Sequence, residues 1–262
     1  MPIYMPQNTY SNRMSVLGTL AILVASVYLH PQTAPSSTPP GATPALTQPA
    51  LTSSQIVEEM LRHNQARAES LRHYQSVRHY EVEYKGYSAK IGAKLVVEAN
   101  YDAVSGKSFR VIAQSGSSLL VDKVLKRLLA TEKDAEQDKT STALTPANYN
   151  FRLTGFESLA DRPAYVLEVD PLVNSKYLYR GKVWVDAADF AVVRIEAHPA
   201  RNPSFWISST AINHQYTKTD GFWLPAQNRS ESKVRVGGTA VLTIDYGAYQ
   251  VVPDAALPGG GS

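Results

Sequence analysis

Five side chains are of the kinds that acid–base catalysis uses: Asp161, Asp186, Asp189, His198 and His214. A general acid or base needs a neighbour that tunes it, and spacing alone pairs none of the five. Asp161 and Asp186 fall where the chain must turn, and Asp in a turn serves by accepting hydrogen bonds from local backbone N–H groups. His198 precedes Pro199 at the end of a strand-like run, with no carboxylate or metal ligand at a telling distance. His63 and His73 lie ten residues apart on a helical stretch, too far for an i,i+4 metal pair, and are read as solvated. The run Gln114-Ser115-Gly116-Ser117-Ser118 lacks the flanking glycines of a nucleophile elbow. Gly-x-Ser-x-Gly, His-Glu-x-x-His, phosphate-binding glycine loops and acidic calcium loops are all missing from the sequence. It contains no cysteine, which excludes thiol nucleophiles, cysteine-ligated metals, disulfides and a lipidated cysteine. These residues point to a binding protein: no catalytic residue, metal or cofactor is expected, and a hydrolase without a recognisable motif is the third-ranked reading.

The elements that must position any site are mostly strands. Alternation predicts strands at 76–87, 91–101 and 107–114, with a hairpin turn at 103–106. Seven more follow, at 150–156, 163–169, 176–186, 191–197, 204–216, 222–236 and 239–251, joined by turns such as Asn202-Pro203, Asp220-Gly221 and Gly237-Gly238. Between 186 and 190 the phase breaks at a hairpin, with Phe190 re-entering the next strand, which admits a bulge there. Thr52 and Gln55 make a capping box for a helix over 53–74, with Ile56, Met60, Leu61 and Leu71 on one stripe. A second helix from Ser118 carries Leu120, Val121, Val124, Leu125, Leu128 and Leu129 on one face and Asp122, Lys123, Lys126 and Arg127 opposite. The charged residues 131–142 are read as its solvated end and exit loop.

The amino terminus suggests where the chain works. Arg13 precedes an uncharged apolar run over 14–29, the layout of a secretory signal. The run is shorter than the roughly 20 residues of a spanning helix, which favours cleavage; no clean Ala-x-Ala site follows, which keeps an uncleaved inner-membrane anchor open. Residues 1–30 are therefore a signal peptide or anchor, and membrane contact through them is left open. The Pro-, Thr- and Ser-rich stretch 31–52 is an extended linker, 53–252 the folded domain, and 253–262, ending Gly-Gly-Gly-Ser262, a flexible tail. A net charge of +3, with no basic run interleaved with aromatics, argues against nucleic acid. Asn228-Arg-Ser230 matches a glycosylation sequon, meaningful only in a eukaryotic secretory pathway.

Strand phase then nominates a ligand surface. Val183 and Val185 share one face with Val193 and Ile195 across the hairpin, and this apolar face is the expected cavity wall, covered by the two helices. Arg194 and Glu196 fall on the other side, within reach of Arg180 or Lys182. Trp184, Trp206 and Trp223 are either rim contacts for a ligand or ordinary aromatics packed on a half-exposed sheet. Leu125 and Leu128 of the second helix would form a lid over the cavity.

The leading helix, the helical insertion after the third strand, and the run Tyr179-Arg-Gly-Lys-Val-Trp-Val-Asp186 followed by Val192-Val-Arg-Ile-Glu196 resemble the periplasmic lipoprotein-carrier superfamily that includes LolA, LolB and RseB. The later Asn202-Pro-Ser-Phe-Trp206 and Gly221-Phe-Trp-Leu-Pro225 look like an uncharacterised exported branch of that fold. The resemblance spans about 53–252. It implies a mainly β, α+β fold: a single curved antiparallel sheet of about ten strands forming an incomplete barrel, its concave face covered by two helices and able to admit acyl chains. The function it suggests is an exported, periplasmic, non-enzymatic protein holding a lipid or lipoprotein acyl chain for envelope transport, lipoprotein sorting or sensing. The alternative is an envelope-stress or assembly module that binds a protein partner.

Overall fold

The computed structural model describes residues 51–87, 90–134, 142–235 and 237–253. The apolar run 14–29, most of the linker, most of the charged stretch after residue 134 and the Gly-rich tail lie outside the described residues. Among the described residues no helix is long and apolar enough to cross a membrane.

Helix α1 (Ser53–Ser70) starts as its sequence requires: the Thr52 side chain accepts from the Gln55 backbone N–H, and the Gln55 side chain accepts from the Thr52 N–H at 2.9 Å. It ends four residues short of the expected Tyr74. Leu71 is extended, and β1 (Leu71–Lys85) begins there, turning Tyr74, Ser76, Arg78, Tyr80, Val82 and Tyr84 to one side. That alternation is veiled in sequence because Ser76 and Arg78, both polar, hold two of its inward positions. Meanwhile Leu71 continues the i,i+3 and i,i+4 stripe of α1.

The remaining strands are β2 (Lys90–Asp102), β3 (Gly106–Gly116), β4 (Tyr149–Leu159), β5 (Arg162–Pro171), β6 (Tyr179–Asp186), β7 (Val192–Pro199), β8 (Ile207–Thr219), β9 (Phe222–Val234) and β10 (Thr239–Pro253). All ten form one antiparallel sheet in the order β3-β2-β1-β10-β9-β8-β7-β6-β5-β4. Each strand pairs with its chain neighbour except β3 with β4, which lie at the two outer edges, and β10 returns to lie beside β1. The sheet is an open half-barrel, as expected.

A second helical segment crosses from β3 to β4. It comprises α2 (Ser118–Leu120), a π-helical turn (Val121–Leu125) and α3 (Lys126–Asp134). Gly116 launches it: at φ +86, a Cβ there would sit 2.3 Å from the Gly92 carbonyl oxygen, so only glycine lets the chain leave β3 so close to β2.

Candidate functional site

The helices cover one face of the half-barrel, and each covers a different part of it. Ile56, Val57 and Met60 of α1 pack on Tyr149, Tyr165, Leu167, Val183, Val185, Ile195 and Ile212 of β4 to β8. Leu120, Val121, Val124, Leu125, Leu128 and Leu129 of the second segment pack on Tyr80, Val82, Ala93, Leu95, Val97, Leu242 and Ile244 of β1, β2 and β10. The expectation that both helices cover the valine surface of β6 and β7 is corrected: α1 alone does so.

Between these two apolar halves runs a polar stripe. On β9, Ser232 stands between Thr210 and Ala240, Ser230 between Ile212 and Leu242, and Asn228 between His214 and Ile244. All three face the covered side and are buried. Thr210 and Ser232 share a hydrogen bond of 2.9 Å between their hydroxyls. His214 is 7% exposed and stacked on Tyr216 at 4.6 Å, yet neither ring nitrogen has a hydrogen-bond partner among the described residues. Burial holds its pKa down at about 4, so the imidazole is neutral over most of the pH range.

At the edge of the stripe stands a buried ion pair. Arg78 on β1 is 2% exposed and donates from Nη1 to Glu132 Oε1 of α3 at 2.8 Å. Lys107 of β3 adds its ammonium to the same oxygen at 3.4 Å, and the Tyr80 hydroxyl donates to Glu132 Oε2 at 3.5 Å. The guanidinium lies 4.9 Å from the Tyr246 ring centroid and 5.5 Å from that of Phe109. Burial would raise the Glu132 carboxyl, but the charges of Arg78 and Lys107 win and hold it at about 2. This corrects the reading of 131–142 as a solvated end: Glu132 is an anchor, its side chain 15% exposed. A glutamate four residues after Leu128, on the phase of the buried face, was the available signal.

The residues nominated from sequence part company here. Val183, Val185 and Ile195 are fully buried under α1, and Leu125 and Leu128 are buried between the second segment and the sheet. Val193 does not join the first three. The ladder slips between Trp184 and Val185, so that Val185 pairs with Val192, and the bulge rotates Val193 to the opposite face. There it packs with Trp184, Trp223, Ala164, Val166 and Ala191. Phe190, at φ +48, makes the re-entry into β7 that the phase break predicted. Trp206 is 47% exposed just before β8, edge-on to the exposed Phe205.

The outer face also holds a cavity of about 210 Å³ lined by Arg162, Asp186, Val193, Arg194, Tyr216 and Trp223, among others. It opens where β7 and β8 separate, since their ladder runs only from Arg194 with Gln215 to Ala197 with Ile212. The Arg194 guanidinium lies 5.1 Å from the Trp184 ring, and its partner is Glu196, not the basic side chains of β6.

Two of the acid–base candidates, Asp186 and Asp189, are engaged in structural hydrogen bonds. Asp186 accepts from the backbone N–H groups of Ala188 at 3.0 Å and Asp189 at 2.8 Å, and takes both Nε and Nη2 of Arg162. Asp189 accepts from Lys218, Trp223 and Arg162. Asp161 forms the tip of the β4–β5 turn at φ +63, and His198 is exposed. Among the described residues no group of three His, Asp or Glu side chains could hold a metal ion.

No family model matches the chain, and no curated protein matches it. Solved structures do. A DUF1329 family protein from Desulfovibrio piger is 16% identical, with 79% of this chain and 95% of that one covered, at a TM-score of 0.40. A LolA superfamily protein from Nitrosomonas europaea is 15% identical over 80% of this chain and 96% of that one, at 0.32. In the Pseudomonas aeruginosa MucA/MucB complex the matching chain is 13% identical, with 77% and 99% covered, at 0.26. The half-barrel stands on its strand register.

Proposed function

We propose that this is an exported, non-enzymatic binding protein that takes an apolar ligand, an acyl chain of a lipid or lipoprotein, against the concave face beneath the second helical segment. The observation that carries the reading is the construction of that segment. It spends six leucine and valine side chains on β1, β2 and β10, while a π-helical turn interrupts its middle. Such turns are weak points of a helix and concentrate at functional sites. An acyl chain replacing Leu125 and Leu128 would recover about 0.8 kcal/mol for each methylene buried. The apolar run 14–29 supports export to the periplasm, with residues 1–30 removed or retained as an inner-membrane anchor and 31–52 as the tether of a domain over 53–252. Native mass spectrometry of the protein from its own envelope, followed by lipid extraction, tests the reading; protein that arrives without lipid and takes up no acyl probe would sink it.

The outer face favours a second reading, recognition of a protein partner in the envelope. Its cavity beside Trp223 and Arg194, and the exposed Phe205–Trp206 pair, have the aromatic and arginine content of interface anchors.

A further inference from the structure

The two halves of the buried ion pair belong to different parts of the fold. Arg78, Tyr74 and Tyr80 stand on β1 and Lys107 on β3, whereas the carboxylate comes from Glu132 on α3. Arg78 cannot follow the helix outward. Its guanidinium is fixed over the Tyr246 and Phe109 rings, and Nη2 reaches the Tyr74 hydroxyl at 3.5 Å. Its Nε has no hydrogen-bond partner among the described residues. If the second segment lifts to admit a ligand, Glu132 leaves with it, and Arg78 is stranded as a buried cation at the border of an apolar surface. A hydrocarbon ligand would refill the apolar contacts and leave that charge uncompensated.

The covering segment itself has the layout of the missing ligand. Leu125, Leu128 and Leu129 fill the apolar half, and one helical turn later Glu132 presents an anionic oxygen to the cations. We propose that the concave face takes an amphiphile with an anionic oxygen headgroup, a carboxylate or phosphate on an acyl chain, which displaces Glu132 from Arg78 and Lys107 while its chain displaces the leucines. Glu132 is then a resident competitor. The inference rests on the acyl-binding reading above and adds the charge of the headgroup to it.

The test is displacement of an uncharged fluorescent probe, N-phenyl-1-naphthylamine, by ligands of one chain length: hexadecanoic acid, hexadecyl phosphate, hexadecanol and methyl hexadecanoate. The acid and the phosphate are expected to compete about ten-fold more strongly than the alcohol and the ester. Glu132→Gln, which keeps the shape of the competitor and removes its charge, should strengthen all four ligands, since each must displace the carboxylate, with the anions keeping their lead of about ten-fold. Should that variant fold poorly, Lys107→Met is the second probe, since its amine stands at the edge of the pair; it should weaken the anions alone. Equal competition by all the ligands, unchanged in the variant that folds, would overturn the anionic headgroup and leave acyl binding standing. Failure of the naphthylamine and every acyl compound to bind would overturn both.

Discussion

Arg78 and Glu132, separated by 54 residues of chain, meet at 2.8 Å where the sheet touches its covering helix. The arginine is immobilised by the sheet and the glutamate is carried by the helix, so the contact ties the second helical segment to β1 at its far end. Its near end is tied by chain connectivity and by the bond from the Ser117 N–H to the Gly92 carbonyl at 2.8 Å. Between the two ties Leu120, Val121, Val124, Leu125, Leu128 and Leu129 pack on the sheet.

Removing one partner of that pair should cost far more than removing both. Arg78→Met leaves Glu132 facing other groups in a largely buried place and is expected to destabilise by about 3–5 kcal/mol. The joint Arg78→Met and Glu132→Leu variant should recover most of that loss. Urea unfolding of wild type, the singles and the double closes the cycle, and single variants as stable as wild type would mean that the pair is effectively solvated.

Stability should fall in two steps as the pH drops. His214 has its pKa lowered by burial from 6.5 to about 4, so the unfolded chain takes up that proton first and native stability declines between these values. The decline amounts to about 3 kcal/mol at most for a fully buried group. Glu132 acts lower: its stabilisation is complete above 4.5 and is lost as pH falls toward about 2. Unfolding free energies of wild type and His214→Phe, compared from neutral pH downward, check the assignment, since the variant should lose the upper step and keep the lower.

The strand faces make a mutational prediction of their own. Val185→Asp or Ile195→Asp buries a carboxylate under α1 and should cost more than about 3 kcal/mol or unfold the domain. Arg194→Ala, on the outer face, should cost about 1 kcal/mol or less, the worth of its stacking on Trp184 and its exposed ion pair. Thermal melts in the opposite order would invert the assignment of faces.

Substitution in the covering segment should act on binding. Leu125→Asp or Leu128→Asp is expected to change the affinity for a fluorescent acyl probe more than Arg194→Ala does. If the covering-segment changes leave probe binding untouched while Arg194→Ala or Trp223→Ala abolishes a partner pull-down, the interaction-module reading replaces the carrier.

Processing of the amino terminus is read by intact mass. A chain starting between Val27 and Pro35 in the soluble periplasmic fraction is the expected outcome, given the short apolar run. Full-length protein retained in the inner membrane would mean an anchor.

Local chemistry was legible in the sequence wherever a few neighbouring residues decide the conformation. Thr52 with Gln55 announced the start of α1, period-two alternation announced β5, β6 and β7, and Asp186 with Phe190 announced the β6–β7 hairpin. Three matters escaped it, each because the deciding partner is distant in the chain. The start of β1 depended on pairing with β2 and β10, which gives Ser76 and Arg78 inward places that their polarity conceals. The facing of Val193 depended on where the β6–β7 ladder slips by one residue, a choice set by packing on both sides of the sheet. The candidate site was only half visible: the leucines of the covering segment show in their periodicity, but Glu132 looks like one more charge in a charged run until Arg78 and Lys107 are brought against it. Periodicity reports which side chains leave water, whereas the partner that compensates a buried charge is chosen by the tertiary fold.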